Sequence, residues 1–361
     1  MRILFFINTY FQLIVAMQMK RTIYRSDEVT AVITDRSNNS IPVYQKLKVV
    51  GFFDETIYVE ARSIIHSRTK SIKIKEFIDI VFDNDNRYSY YFDELHNKRF
   101  DAFAFFNLDM DMYGIYSLLS RENPQIQVLM YEEGVLSYEN TPYDTAKFKF
   151  LRLCRRLMRK KNMTDNIIGF ACFNPALCKN GLKTIQIPQI NPQDQMFKNI
   201  LKTIFDVTSL DIYSKYKYIF FESSYETDGK DIEETQVVLK IASIVGVDNI
   251  LVKKHPRSTT RFYENHGFQI DTNSSVPFEV IQLCVDFSKS VFISTISGAA
   301  VSINTIVENP SKVVFIYPMT NYKKYPEIED YIDRSVRKIN DMKQNGSLRD
   351  VIYLEDYKKI I

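Results

Sequence analysis

A chain of 361 residues with 45% hydrophobic content has apolar surface enough for a large core and length for about two domains. Its net charge of +3 gives no general attraction to nucleic acid. Four cysteines (Cys154, Cys172, Cys178, Cys284) without Cys-x-x-Cys spacing suit reduced, mostly buried thiols in a cytoplasm better than a disulfide framework. Met1 to Phe6 is a short apolar strand and not a secretory signal, and no apolar run approaches the roughly 20 residues that cross a bilayer. Ten glycines with neither GxGxxG nor a P-loop pattern leave phosphate to side chains and helix N-termini.

Taken in order, the chain alternates strands and helices. Arg2 to Ile7 is a strand of buried type, followed by a polar turn, Asn8-Thr9-Tyr10, and a helix over about Phe11 to Arg21. Strands are expected at Val29–Thr34, Thr56–Val59, Phe100–Phe106 and Ile126–Tyr131. Helices are expected between them, around Ile41–Val50, Ile72–Val81 and Met112–Ser120. Such spacing predicts a parallel sheet covered on both faces. Lys147 to Lys161 is densely basic, with Leu151, Cys154, Leu157 and Met158 at helical spacing among the cations. It suits either a solvated amphipathic helix or one lying on an anionic membrane surface.

Apolar runs at Ile167–Phe173 and Thr184–Ile187 lead to a polar stretch with two prolines, Pro188 to Gln195, that reads as a linker. The alternation then resumes. Strands are expected at Tyr216–Phe221, Asn249–Val252, Ser290–Ile293 and Val313–Tyr317. Helices are expected at Ile232–Val245, Phe278–Phe287, Ala299–Val307 and Ile328–Met342. The division predicted is a first domain over 1–187 and a second over 188–361, with the last helix packing back on the first domain.

Three strand ends carry the chemistry. Tyr131-Glu132-Glu133-Gly134 closes one strand with two carboxylates and a glycine. Side chains alternate along a strand, so at most one of Glu132 and Glu133 faces a given cleft, as a general base; otherwise both are solvated. Lys253-Lys254-His255-Pro256-Arg257 follows another strand, and its charges with an imidazole suit an anion. Ser294, Thr295 and Ser297, with Gly298, precede a helix, as an N-cap and as hydroxyls for a phosphate. Asp83-Asn84-Asp85 and Asp109-Met110-Asp111 match a metal-binding Asp-x-Asp, but Asp109 reads better as a helix cap. No His/Cys cluster points to zinc.

In that order, Glu132-Glu133-Gly134, His255-Pro256 and the Ser/Thr-rich turn resemble the motifs of bacterial sialyltransferases. The opening Asn8-Thr9-Tyr10-Phe11-Gln12-Leu13-Ile14 resembles the start of glycosyltransferase family 52, which includes lipooligosaccharide and capsule sialyltransferases. The resemblance runs from about residue 7 to 300 and implies an α/β, GT-B type fold: two Rossmann-like domains with a cleft between them. It implies an inverting, metal-independent transfer from CMP-sialic acid to a galactoside, with no cofactor. Glu132, or Glu133 as second choice, is then the base. His255 assists the departing phosphate, and Lys254, Pro256, Arg257, Ser294, Thr295, Ser297 and Gly298 hold the nucleotide. Asn8, Thr9, Gln12 and Gly134 line the substrate side. Expected partners are a sugar nucleotide, a glycan acceptor and an anionic membrane at the inner face of a bacterial cell, but no nucleic acid; a homodimer is one option. Rival readings are a UDP-sugar transferase, a GT-B-shaped sugar-nucleotide epimerase, and a non-catalytic glycan- or membrane-binding protein.

Overall fold

The computed structural model describes the chain except residues 63–68, 85–92, 96, 139–144, 208, 256, 274–275, 298–299, 302–305, 307–311, 347, 349 and 361. Two compact units result, one of Met1–Glu133 with Ser137–Pro188, the other of Gly134–Leu136 with Gln189–Ile361.

Seven strands build the first unit: β1 (Arg2–Ile7), β2 (Glu28–Thr34), β3 (Glu55–Val59), β4 (Ala102–Phe105), β5 (Gln127–Tyr131), β6 (Ile167–Cys172) and β7 (Thr184–Gln186). They pair in parallel in the order β3-β2-β1-β4-β5-β6-β7. The connections carry α1 (Tyr10–Thr22), α2 (Ser40–Val50), α3 (Lys70–Phe82), α4 (Met110–Glu122) and α5 (Ala146–Leu157). In β1 every residue from Ile3 to Ile7 is buried, as expected of a parallel strand covered on both faces.

The second unit repeats the plan with β8 (Tyr218–Phe221), β9 (Ile250–Lys253), β10 (Gln269–Ile270), β11 (Val291–Ser294), β12 (Lys312–Phe315) and β13 (Val351–Tyr353). Their order is β10-β9-β8-β11-β12-β13, again all parallel. Its helices are α6 (Gln195–Phe205), α7 (Asp211–Ser214), α8 (Glu234–Val245), α9 (Phe262–Asn265), α10 (Phe278–Cys284) and α11 (Pro326–Gln344). Adjacent residues of β8 serve opposite faces. Phe220 joins an aliphatic cluster with Val238, Ile241, Val252 and Ile293. Phe221 packs edge-on against Phe278, 4.7 Å between ring centres, in an aromatic layer with Phe287 and Phe292.

Both sheets have the Rossmann order, three strands running outward one way from the central strand and the rest the other way. This is the two-domain α/β layout that the alternation predicts. Two details differ. The helix expected over Phe278–Phe287 ends at Cys284, and Phe287 is buried beyond it. The polar stretch after Pro188 runs directly into α6, whose first turn Asp194 caps through Phe197 N at 3.0 Å. Most of the helix expected over Ala299–Val307 lies outside the described residues.

Candidate functional site

Where strand order reverses, the flanking loops diverge and open a crevice beyond the strand C-termini. In the second unit this point lies between β8 and β11. A cavity of about 330 Å³ sits there, lined by Phe221 to Tyr225, His255, Ser294 to Ser297 and Tyr331. That volume suits a small ligand and exceeds what a single water needs.

His255 is half-buried and set by its own loop. Its backbone N–H donates to Glu222 Oε2 at 2.9 Å, and Ser258 Oγ donates to Glu222 Oε1 at 2.8 Å. Arg257 N donates to His255 Nδ1 at 3.2 Å. A neutral ring with Nδ1 accepting carries its hydrogen on Nε2, which leaves Nε2 as a donor. Burial first, and the Arg257 charge second, hold the imidazole below its ordinary pKa, which favours that neutral form. Ser294 is buried at the end of β11, and its hydroxyl makes no hydrogen bond to any described group. Thr295 donates to Glu234, whose other oxygen accepts from Ser223 N at 3.2 Å. Burial pushes Glu234 up to about 7.

Lys254 and Arg257 are not brought to the cavity. Lys254 Nζ is held by Thr260 O and by Glu264 at 3.1 Å, and Arg257 pairs with Asp228 at 2.7 and 3.2 Å. The anion-binding role expected of these two side chains is therefore set aside. Pro256 and Gly298 lie outside the described residues. Glu222 and Glu234 escaped the sequence reading. Glu222 had a signal, a carboxylate closing a strand as Glu132 does; Glu234, inside a helix pattern, had none.

In the first unit the two adjacent carboxylates part company. Glu132 turns inward and is 1% exposed; it accepts from Tyr138 Oη at 2.5 Å and Phe173 N at 2.9 Å. Burial raises it to about 7 against those two bonds. Glu133 is exposed as a residue, yet protein crowds its carboxyl, and that burial also raises it to about 7. Solvent reaching Glu133 weakens the push; Glu132 has no such relief. Gln12 Nε2 donates to Glu133 Oε1 at 2.8 Å. Gln12 cannot turn away, because its Oε1 accepts from Asn8 N at 2.7 Å and Thr9 N at 3.3 Å in the capping box of α1. Asn8 is buried, and its Oδ1 accepts from Thr34. Asn8 and Thr9 thus shape the loop and Gln12 meets the acid. Gly134 follows at φ +142°, a conformation that glycine alone adopts readily.

Asp109 caps α4 through Asp111 N and Met112 N, both at 2.9 Å, and burial raises it to about 6. Asp111 pairs with Arg36 at 3.1 Å. Asp83 pairs with Arg155 and Lys160, while Asp85 lies outside the described residues. Among the described residues no three His, Cys, Asp or Glu side chains converge as metal ligands do. All four cysteines are free thiols.

No protein-family model matches the chain, and no curated protein matches it in sequence. Solved structures with the same general layout include the α/β-galactoside α-2,3-sialyltransferase of Photobacterium phosphoreum, at 11% identity and TM-score 0.49, covering 99% of each chain. Staphylococcus aureus MnaA, solved with UDP, has 14% identity and TM-score 0.46, covering 87% of this chain and 78% of its own. Acinetobacter baumannii MurG has 12% identity and TM-score 0.43, covering 100% of this chain and 86% of its own.

Proposed function

We propose that this chain is an inverting glycosyltransferase that moves sialic acid from CMP-sialic acid to a galactoside of a bacterial surface glycan, with no metal. The observation that carries the reading is the cavity at the β8/β11 reversal, lined by His255, Ser294, Thr295 and Ser297. These are the residues whose types and order resemble the sialyltransferase motifs. The second unit binds the nucleotide. A departing CMP carries one phosphate, and neutral donors aimed at it supply stabilisation where charge develops. Nε2–H of His255 and the Ser294 hydroxyl are such donors.

The first unit supplies the base. Glu133 is the better assignment, because Glu132 already accepts two hydrogen bonds in the interior. Gln12 orients the Glu133 carboxyl. A carboxyl near 7 is matched to taking a proton at neutral pH. The acceptor O–H gives its proton to Glu133 as its oxygen bonds the anomeric carbon. The carbon–oxygen bond to the phosphate breaks, and its electron pair leaves on CMP.

The test is thermal stability with CMP, CDP, UMP and UDP, each with and without Mg²⁺, followed by transfer from CMP-sialic acid to lactose. Ligand at 100 times its Kd adds about 2.7 kcal/mol. Stabilisation by CMP that ignores Mg²⁺, with sialyl transfer, is the expected result. Stabilisation by UDP alone would move the donor to a UDP-sugar. No response to any nucleotide would sink the transferase reading.

A further inference from the structure

Large apolar side chains are exposed at twelve positions among the described residues, and seven of these lie on α3 and at α5 with the residue after it. On α3, Ile74, Ile78 and Phe82 repeat every four residues, with exposures of 60%, 46% and 47%. On α5, Phe150, Leu153 and Leu157 repeat at helical spacing, with 58%, 53% and 69%. Neither stripe is the face that packs inward: α5 buries Phe148, Leu151 and Arg155 instead. The stripes adjoin, because Phe77 of α3 stacks on Phe150 of α5, 5.7 Å apart and 10° from parallel.

The pair of helices is held as one piece. Arg155 is 1% exposed and bonds the Ile80 carbonyl and Asp83 Oδ1 (2.7 Å) at the end of α3. It also donates to the Lys161 carbonyl at 2.7 and 3.0 Å. On the α5 side of the ridge residues 146–161 hold eight Lys or Arg and no acid, while the α3 acids Glu76 and Asp79 are buried and Asp165 lies 3.7 Å from Arg156. Lys149 and Arg156 flank the α5 stripe and are exposed.

We propose that α3 and α5 form a docking platform for an anionic phospholipid surface. The ridge inserts at the headgroup boundary, and the flanking cations meet lipid phosphates. A second copy of the chain fits less well, since pairing these faces would oppose two acid-free basic segments. No helix among the described residues is long and apolar enough to cross a membrane.

The experiment is co-sedimentation of the full chain with phosphatidylcholine vesicles, with and without about a third phosphatidylglycerol. Binding is expected only with the anionic lipid, and weaker at high salt. Leu153→Glu/Leu157→Glu should lower the partition coefficient at least tenfold. Ile74→Glu/Ile78→Glu, on the other helix, should do the same and guards against one variant misfolding. Lys149→Glu should lower it about fivefold or more. Far-UV circular dichroism and denaturation midpoint should stay as in the parent. A chain that ignores anionic vesicles overturns the proposal. So do variants that bind as the parent does, or a dimer that these variants dissociate without any lipid binding.

Discussion

Glu132 and Glu133 leave one strand to opposite sides and meet different partners, which is what separates their proposed roles. Glu133→Gln keeps the contact with Gln12 but cannot take a proton, so kcat should fall by roughly 10²-fold or more. Activity should also fade below about pH 7, as the Glu133 carboxyl protonates. Glu132→Ala acts elsewhere. It removes the acceptor of the buried Phe173 N–H, at a cost of about 1–3 kcal/mol in a denaturation curve, and one of the bonds of the Tyr138 hydroxyl, which still accepts from Asn174 N. Turnover near that of the parent is expected, and a 10²-fold loss without loss of stability would return the base role to Glu132. With His255 as the proposed neutral donor, His255→Ala should weaken CMP binding by roughly tenfold or more, read by calorimetry. His255→Gln, which keeps an N–H, should recover part of it; equal loss in both would remove the donor role. The pair was legible in the sequence as a strand end. Which acid turns inward was not, because that depends on Tyr138 and the β6 end, brought in by later chain.

At the scale of elements, long apolar runs such as β1, β5 and β11 announced themselves, since burial on both faces demands an unbroken apolar stretch. The edge strands β10 (Gln269–Ile270) and β13 (Val351–Tyr353) did not, because two or three residues carry no period. The basic segment misled in a more instructive way. Its spacing gives the helix, but Arg155 reads there as one more surface cation. In the fold it is the buried tie between α5 and the end of α3. Arg155→Ala takes this donor from the Ile80 and Lys161 carbonyls and one of two cations from Asp83, which keeps Lys160; a buried group left unsatisfied costs about 1–3 kcal/mol. Urea denaturation should show that loss, while Arg159→Ala, at an exposed position, should lie within about 0.5 kcal/mol of the parent. Equal effects of the two would mean that the tie does not matter.

For the whole molecule, the acids set a conflict between stability and chemistry. Glu132, Glu133 and Glu234 are each raised to about 7 and Asp109 to about 6, with burial the first cause in every case. A raised pKa means that the folded chain holds the proton more tightly than the unfolded one. The stability from these groups is full below their ordinary values near 4 and is lost as pH climbs through about 7. Acids held low by cations, such as Asp54 and Asp228, have reached their full contribution by about pH 5 and stay constant above it. His255, held low, opposes the trend, gaining stability as pH rises toward its ordinary value, but it is one half-buried group against four carboxyls. The urea midpoint should therefore fall between about pH 5.5 and about pH 8, and Glu132→Gln or Glu234→Gln should each flatten that fall. A midpoint that holds level or rises over this range would show that these carboxyls ionise as freely folded as unfolded. The proposed base needs Glu133 ionised, so turnover is expected to rise over the same interval in which stability declines. With Glu133 as the proposed base, the most active form of the chain would thus not be its most stable one.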